Sequence, residues 1–117
     1  MIVCDTCTIS DFPISEKKLK SIYCQAELKI ANQRRFGAES LAARLAAKRA
    51  CLRAFGALGH DIQLKDICFH KGVAGQPYIG SCSPNKILRR LMTKNKISIS
   101  LTHTTSLASA ICVISRK

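Results

Sequence analysis

Apolar and polar positions divide the chain into strand-like and helix-like segments. Residues 2–9, IVCDTCTI, are rich in β-branched side chains and predict a first strand. Residues 15–35 are basic, with a partial apolar face at helical spacing, and Ser15 is a suitable N-cap. A stronger helix is predicted from Glu39 to Phe55, with a stop at Gly56. Four of its residues share one stripe and predict a face against the core: Leu41, Leu45, Leu52 and Phe55.

The second half of the chain predicts short strands, a short helix and a hairpin. Strands are expected around residues 64–70 and 76–81, joined by a glycine-containing turn. Ser83 and Pro84 then introduce a helix. Its expected apolar face is Ile87, Leu88, Leu91 and Met92. The segments KISISLT and LASAICVIS alternate or are apolar, and they predict an antiparallel hairpin.

These elements predict one α+β domain over residues 1–117, with helices packed on a small antiparallel sheet. Within KISISLT, the three apolar residues face one way, and Ser98, Ser100 and Thr102 face the other. In the first strand, Asp5 is an unusual acid. It either has a partner or is an edge-strand charge that faces solvent, and both interpretations stay open.

The strong helix carries an unusual set of cations. Lys48 lies in the middle of the apolar stripe, Arg44 borders it, and Arg49 and Arg53 share a neighbouring face at i,i+4. A lysine on such a stripe can extend its charge to the edge. Four cations with only Glu39 on the helix to offset them predict that something anionic docks there.

Charge and composition narrow the functions. The 117 residues carry 19 Lys and Arg against 7 Asp and Glu, a net charge of +12, which predicts an anionic partner. The hypothesis of a nucleic-acid-binding module is supported by this charge alone. The chain has no Trp and only two Tyr, so it lacks aromatic side chains on which bases could stack. No apolar run approaches the roughly 20 residues that span a bilayer, and the N-terminus does not look like a signal peptide. We therefore expect a cytoplasmic protein with neither membrane nor nucleic acid as partner. In so small a domain, a site shared between subunits is plausible.

The seven cysteines favour a structural role. Most lie in apolar runs, where cysteine behaves as a small buried hydrophobe. Cys4 and Cys7 have the spacing of a redox pair but strand-like flanks, and no second Cys or His pair lies at zinc spacing.

Three motifs, in order, resemble those of the holo-acyl-carrier-protein synthases, the short trimeric branch of the 4′-phosphopantetheinyl transferases. Val3-Cys4-Asp5-Thr6 is similar to a family strand with a metal-binding aspartate. Residues 39–56, ESLAARLAAKRACLRAFG, resemble the family helix F-A-A-K-E-A-x-x-K-A-x-G. Residues 97–103, ISISLTH, resemble the strand V-S-I-T-H, and Gly75-Gln76-Pro77-Tyr78 resembles a preceding G-x-P turn.

The resemblance implies transfer of 4′-phosphopantetheine from coenzyme A to a serine of apo acyl carrier protein, for fatty acid synthesis. It implies a homotrimer with sites between neighbours, and Mg²⁺ bound at Asp5. Attack on a diphosphate needs cations to neutralise the developing charge. The implied catalytic residues are Asp5 and Lys48. The implied coenzyme A contacts are Arg44, Lys48, Arg53, Gly59, Ser100, Thr102 and His103. The basic residues Lys17, Lys18 and Lys20 would face the acidic carrier protein.

One position departs from the family pattern. The residue after the helix lysine is a metal-binding glutamate in the family, and here it is Arg49. Mg²⁺ prefers carboxylate and phosphate oxygens, and arginine would repel it. Three outcomes are open: Mg²⁺ bound through Asp5, phosphates and water; a guanidinium that replaces part of the metal charge; or a weakly active or non-catalytic relative that binds coenzyme A or carrier protein.

Overall fold

The computed structural model describes residues 1–8, 16–33, 37–71, 77–80, 85–104 and 106–117. These residues form five strands and four helices in the order β1 (Ile2–Thr8), α1 (Glu16–Ile22), α2 (Gln25–Gln33), α3 (Gly37–Ala57), β2 (Phe69–Lys71), β3 (Pro77–Ile79), α4 (Lys86–Lys94), β4 (Asn95–His103) and β5 (Leu107–Arg116). A 3₁₀ turn spans Leu64–Asp66. The α+β prediction is confirmed, and β4 and β5 are the expected antiparallel hairpin.

The main sheet is antiparallel, with β5 between β1 and β4. Its register aligns Asp5 of β1 with Ala110 of β5, and Ser100 of β4 with Ile111 of β5. Strands β2 and β3 form a separate two-stranded sheet. Because side chains alternate along a strand, this register decides which residues share a face of the main sheet.

Helix α3 packs on one face of the main sheet, against β1, β5 and β4. Both sides of this contact are built from small side chains, which let the helix backbone approach the strands closely. On α3 they are Ala42, Ala46, Ala47, Ala50, Cys51 and Ala54, and on β5 they are Ala108, Ala110 and Cys112; all are buried. Leu41, Leu45 and Phe55 are buried as predicted, and Leu52 is half-buried.

The opposite face of the main sheet is exposed and partly apolar. Ile2, Leu107 and Ile111 expose 70%, 43% and 43% of their surface. The exposed hydroxyl residues Ser98, Ser100 and Thr102 lie on this face too, as predicted. We call this surface, formed by these six residues, the outer sheet face.

Two helix boundaries differ from the predictions. The basic stretch forms two helices, since the chain breaks at Tyr23 and Cys24 between α1 and α2. Tyr23 is buried, and its hydroxyl donates to the Leu41 carbonyl at 2.6 Å, which fixes the break against α3. The stop after α3 is Gly59 and not Gly56, because Gly59 has the left-handed φ of 84°. Its N–H donates to the Gly56 carbonyl, and the next N–H to the Phe55 carbonyl, as in a Schellman motif.

Helix α4 and the cysteines also correct the predictions. The N-cap of α4 is Asn85, whose side chain accepts from the Leu88 N–H at 3.1 Å. Ser15, Ser83 and Pro84 lie outside the described residues. Cys24 and Cys68 form a disulfide, a structural role whose pairing the sequence analysis did not identify. Their 44-residue separation gives no sequence pattern by which to recognise the partners.

Candidate active site

Lys48 lies inside the protein, where Glu27 of α2 neutralises it. Its Nζ is 2.7 Å from Glu27 Oε1, and neither side chain exposes any surface. The same ammonium donates to the carbonyls of Ile22, Leu64 and Ile67. The prediction that this lysine reaches an open anion site at the edge of the stripe is therefore corrected. Two segments supply the acceptors at this point: the end of α1 at Ile22, and the 3₁₀ turn with the residue after it, Leu64 and Ile67.

Arg44 joins the same buried group. Its Nε is 3.9 Å from Glu27 Oε2, and 9% of its side chain is exposed. Burial lowers the pKa of Lys48, and the charge and hydrogen bond of Glu27 oppose that shift. We expected an anion near this stripe. For Lys48 and Arg44 that anion is the buried carboxylate of Glu27. Contact of Lys48 with a phosphate from solvent would require Glu27 and the surrounding carbonyls to rearrange.

Sequence reasoning missed Glu27. It occupies the third position of α2, and its Oε1 accepts from the Cys24 N–H at 3.1 Å, which caps the helix. A glutamate three residues after a helix start is a local signal for such a cap. Nothing local to Glu27 indicates that α3 brings Lys48 to the same carboxylate, 21 positions along the chain.

Asp5 and Arg53 form the part of the predicted site that reaches solvent. Asp5 Oδ2 is 3.7 Å from Arg53 Nη1, with 20% and 65% of the two side chains exposed. The same Nη1 donates to the Cys4 carbonyl at 3.0 Å, which ties the guanidinium to β1. Among the described strands β1 is an edge strand, yet Asp5 has a partner on α3. The interpretation with a partner is therefore confirmed, and the interpretation as a charge that only faces solvent is wrong, since 20% of the Asp5 side chain is exposed.

The donors near Asp5 do not fit the magnesium site that the resemblance implies. Mg²⁺ needs near-octahedral oxygen ligands, commonly one or two carboxylates with substrate phosphates. Asp5 Oδ1 accepts from the Thr6 N–H at 2.8 Å, and Oδ2 faces Arg53. Arg49, one turn before Arg53, is exposed where a second carboxylate is expected. Within the described residues, no group of three metal-ligating side chains includes Asp5.

The remaining predicted contacts are dispersed over the protomer. Ser100 and Thr102 lie on the outer sheet face, whereas Asp5 faces α3 on the other side of the sheet. His103 is exposed at the end of β4, and Gly59 is exposed after α3. Lys17, Lys18 and Lys20 are exposed on α1, as predicted. One protomer therefore joins Asp5 to Arg53 but does not bring the hydroxyls of Ser100 and Thr102 to them.

The disulfide adjoins the buried ion pair. One ligating atom of each of Cys24, Glu27 and Cys68 lies within 4.8 Å of the others. The two cysteines follow closely on Ile22 and Ile67, whose carbonyls accept from Lys48. The disulfide thus joins the two segments that enclose the Lys48 ammonium. None of the described helices is both long and apolar enough to cross a membrane.

Comparisons with known proteins agree on one group. No protein-family model matches this chain. A holo-[acyl-carrier-protein] synthase of Wolbachia sp. subsp. Brugia malayi (strain TRS) is 34% identical over 102 residues, which are 85% of this chain and 78% of that relative. An acyl carrier protein synthase of Mycobacterium tuberculosis superposes with a TM-score of 0.76 and 24% identity, covering 99% of this chain and 96% of its own. The Helicobacter pylori holo-[acyl-carrier-protein] synthase in complex with coenzyme A superposes with a TM-score of 0.75 and 22% identity, covering 98% of this chain and 100% of its own. These two structures share the fold, and the 34% identical relative shows that this chain belongs to the holo-[acyl-carrier-protein] synthase family.

Proposed function

We propose that this protein transfers the 4′-phosphopantetheine group of coenzyme A to a serine of an apo acyl carrier protein, in the cytoplasm. The observation that carries the proposal is the relationship to a holo-[acyl-carrier-protein] synthase over 85% of the chain. The exposed cations Arg49 and Arg53 beside Asp5 provide a place for a diphosphate. This membership does not favour the alternative of a non-catalytic relative.

The chain's own residues act by binding and orienting. Arg53, held by Asp5 and the Cys4 carbonyl, presents a permanent cation to the diphosphate. The serine oxygen forms a bond to the phosphorus next to the pantetheine as the bond to the bridging oxygen breaks. Positive charge near that oxygen stabilises the leaving adenosine 3′,5′-bisphosphate. Lys48 and Glu27 are positioning residues, because their buried pair fixes α3 relative to α2.

The working enzyme is proposed to be a homotrimer with sites between protomers. Asp5 and Ser100 lie on opposite faces of one sheet, so one cofactor meets both only if they belong to different protomers. The outer sheet face carries exposed apolar side chains, among them Ile2 and Ile111, which a neighbouring protomer would cover. In this arrangement the residues Ser100, Thr102 and His103 contact the coenzyme A that Arg53 holds. Gly59, exposed just after α3, is proposed to line the same site, whereas Arg44 acts on α3 through Glu27.

The carrier protein is proposed to dock beside α1. Lys17, Lys18 and Lys20 are exposed on this short helix, and an acidic carrier protein is attracted to such a surface. Complementary charge of this kind raises the association rate more than the final affinity.

A transfer assay tests the function. Apo acyl carrier protein, coenzyme A and this protein are incubated, and the carrier is analysed by intact mass spectrometry. We expect a mass gain of one phosphopantetheinyl group with release of adenosine 3′,5′-bisphosphate. A carrier protein whose acceptor serine is replaced by alanine is the control and should gain nothing. No product in the presence or absence of Mg²⁺, with a carrier that an active synthase modifies, would contradict the proposal.

A further inference from the structure

The surface around Asp5 carries more positive than negative charge. Arg53 Nη1 is 3.7 Å from Asp5 Oδ2, and Arg49 is exposed one helical turn earlier on the same side of α3. Residues four apart on a helix are neighbours, with Cβ atoms about 5–6 Å apart. A second guanidinium is therefore carried by the helix turn next to the one that holds the Asp5–Arg53 pair. Such a surface attracts a diphosphate and repels a divalent cation.

No other described acid makes up for this excess. Glu27, the other acid that forms described ion pairs with α3, is buried in the pair with Lys48 and exposes no surface. The side chain of Glu39 lies outside the described residues. The family pattern would place a glutamate where Arg49 stands. The substitution thus removes one ligand and adds a repelling charge at the same point.

Arginine can supply what the metal would supply. Its guanidinium is planar, permanently charged and matched to two phosphate oxygens at once. Arg53 is anchored at Nη1 by the Cys4 carbonyl at 3.0 Å, while 65% of the side chain is exposed. An anchored but accessible guanidinium is oriented before the ligand arrives. Arg49 is exposed beside it without such an anchor to β1 among the described contacts.

We infer that Arg53 and Arg49 together hold the diphosphate of coenzyme A in place of a divalent metal ion, with Asp5 orienting Arg53, so that transfer is independent of metal. The inference rests on the proposed function and specifies its site. The balance of the reaction needs no further reactant: the serine oxygen bonds to phosphorus, adenosine 3′,5′-bisphosphate leaves with the electron pair, and the serine proton passes to water.

Binding measurements test the inference apart from turnover. Calorimetric titration with coenzyme A should give dissociation constants that agree within twofold in EDTA and in Mg²⁺. Arg53→Gln and Arg49→Gln should each weaken binding at least tenfold, whereas the control Arg90→Gln, at an exposed arginine of α4, should change it less than twofold. Binding at least tenfold tighter in Mg²⁺, or unaffected by both site variants, would overturn the inference. Circular dichroism melting checks that the variants fold.

A gain of metal binding gives the second test. Arg49→Glu places a second carboxylate near Asp5, and it should acquire one Mn²⁺ per protomer by electron paramagnetic resonance together with a transfer rate that falls at least tenfold in EDTA. The wild-type protein should bind no stoichiometric Mn²⁺, with or without coenzyme A, and should transfer equally in EDTA and Mg²⁺. One Mn²⁺ per wild-type protomer, or an Arg49→Glu variant that stays indifferent to metal, would overturn the inference.

Failure of the function and failure of this inference are distinguishable. A protein that transfers nothing in either buffer, yet binds coenzyme A in EDTA through Arg49 and Arg53, would overturn the proposed function and support the metal-free site. A protein that transfers only with Mg²⁺ would support the function and overturn the metal-free site.

Discussion

Lys48 and Glu27 form an ion pair at 2.7 Å in which neither side chain exposes any surface. The pair joins the middle of α3 to the first turn of α2. Four further polar groups share it, since Lys48 also donates to the Ile22, Leu64 and Ile67 carbonyls and Glu27 accepts from the Cys24 N–H. A buried charge that loses its partner is costly, because neither water nor another ion can replace it.

Breaking this pair should destabilise the protein strongly. We expect Glu27→Gln and Lys48→Met each to lower the free energy of unfolding by about 3–5 kcal/mol. The double variant should lose clearly less than the sum of the two, since neither Lys48 nor Glu27 remains as a charge without the other, although Arg44 still loses Glu27. Urea denaturation of the four proteins measures the coupling. Additive losses, or single variants within about 1 kcal/mol of wild type, would show that the pair does not act as a unit.

Reducing the Cys24–Cys68 disulfide should destabilise the protein. A loop of this length predicts about 2–4 kcal/mol. For a domain of this size that is roughly a 10 °C fall in melting temperature on reduction. Cys68→Ser should melt at the temperature of the reduced wild type in either buffer, while Cys4→Ser, at an exposed free thiol, should respond to reductant like the wild type. Equal melting temperatures of wild type with and without reductant would contradict the prediction.

Two glycines at the end of α3 should respond in opposite directions to alanine. Gly59 has a φ of 84°, and an L side chain there is strained, so Gly59→Ala should cost about 1 kcal/mol of stability. Gly56 is inside the helix, and a Cβ added there meets nothing within 4 Å. Gly56→Ala should therefore stabilise by about 0.5–1 kcal/mol. Chemical denaturation of both variants gives the comparison, and a stabilising Gly59→Ala would refute it.

A charge on the outer sheet face should prevent assembly. Ile111 and Ile87 expose the same 43% of their surface in one protomer, but only Ile111 lies on the face that we propose is covered. Ile111→Glu should shift the protein from trimer to monomer in light scattering and reduce transfer at least tenfold. Ile87→Glu on α4 is the matched control and should leave both unchanged. A trimer that survives Ile111→Glu would place the interface elsewhere.

Reversing the charge of α1 should weaken the encounter with the carrier protein. We expect Lys17→Glu, Lys18→Glu and Lys20→Glu together to raise the KM for carrier protein about tenfold at low salt with little change in kcat, because rim charges act on the association rate. The difference should shrink as salt screens the charges. The control reverses three exposed cations of α4: Lys86, Arg89 and Arg90. Equal effects of the two triple variants on KM would indicate that net charge, and not the position of the lysines on α1, determines the encounter.

Much of the fold could be predicted because it depends on local patterns. The alternation in β4 and β5 was sufficient for a hairpin, and the stripe through Leu41, Leu45 and Phe55 for a helix against the core. The helix boundaries were predicted less accurately than the elements themselves. The break at Tyr23 depends on a hydroxyl that reaches the Leu41 carbonyl, and no local pattern contains that contact. The family resemblance is confirmed by the 34% identical relative.

The candidate site shows the same difference between what local sequence patterns and tertiary contacts determine. The sequence by itself determined that cations line α3, that Asp5 interrupts β1, and that Arg49 stands where a carboxylate is expected, because these are properties of residue type and helical spacing. Only the tertiary structure decided which cations are already neutralised. It buried Lys48 and Arg44 with Glu27, paired Arg53 with Asp5 and left Arg49 exposed, since pairing depends on which segments the core brings within a few ångströms of each other.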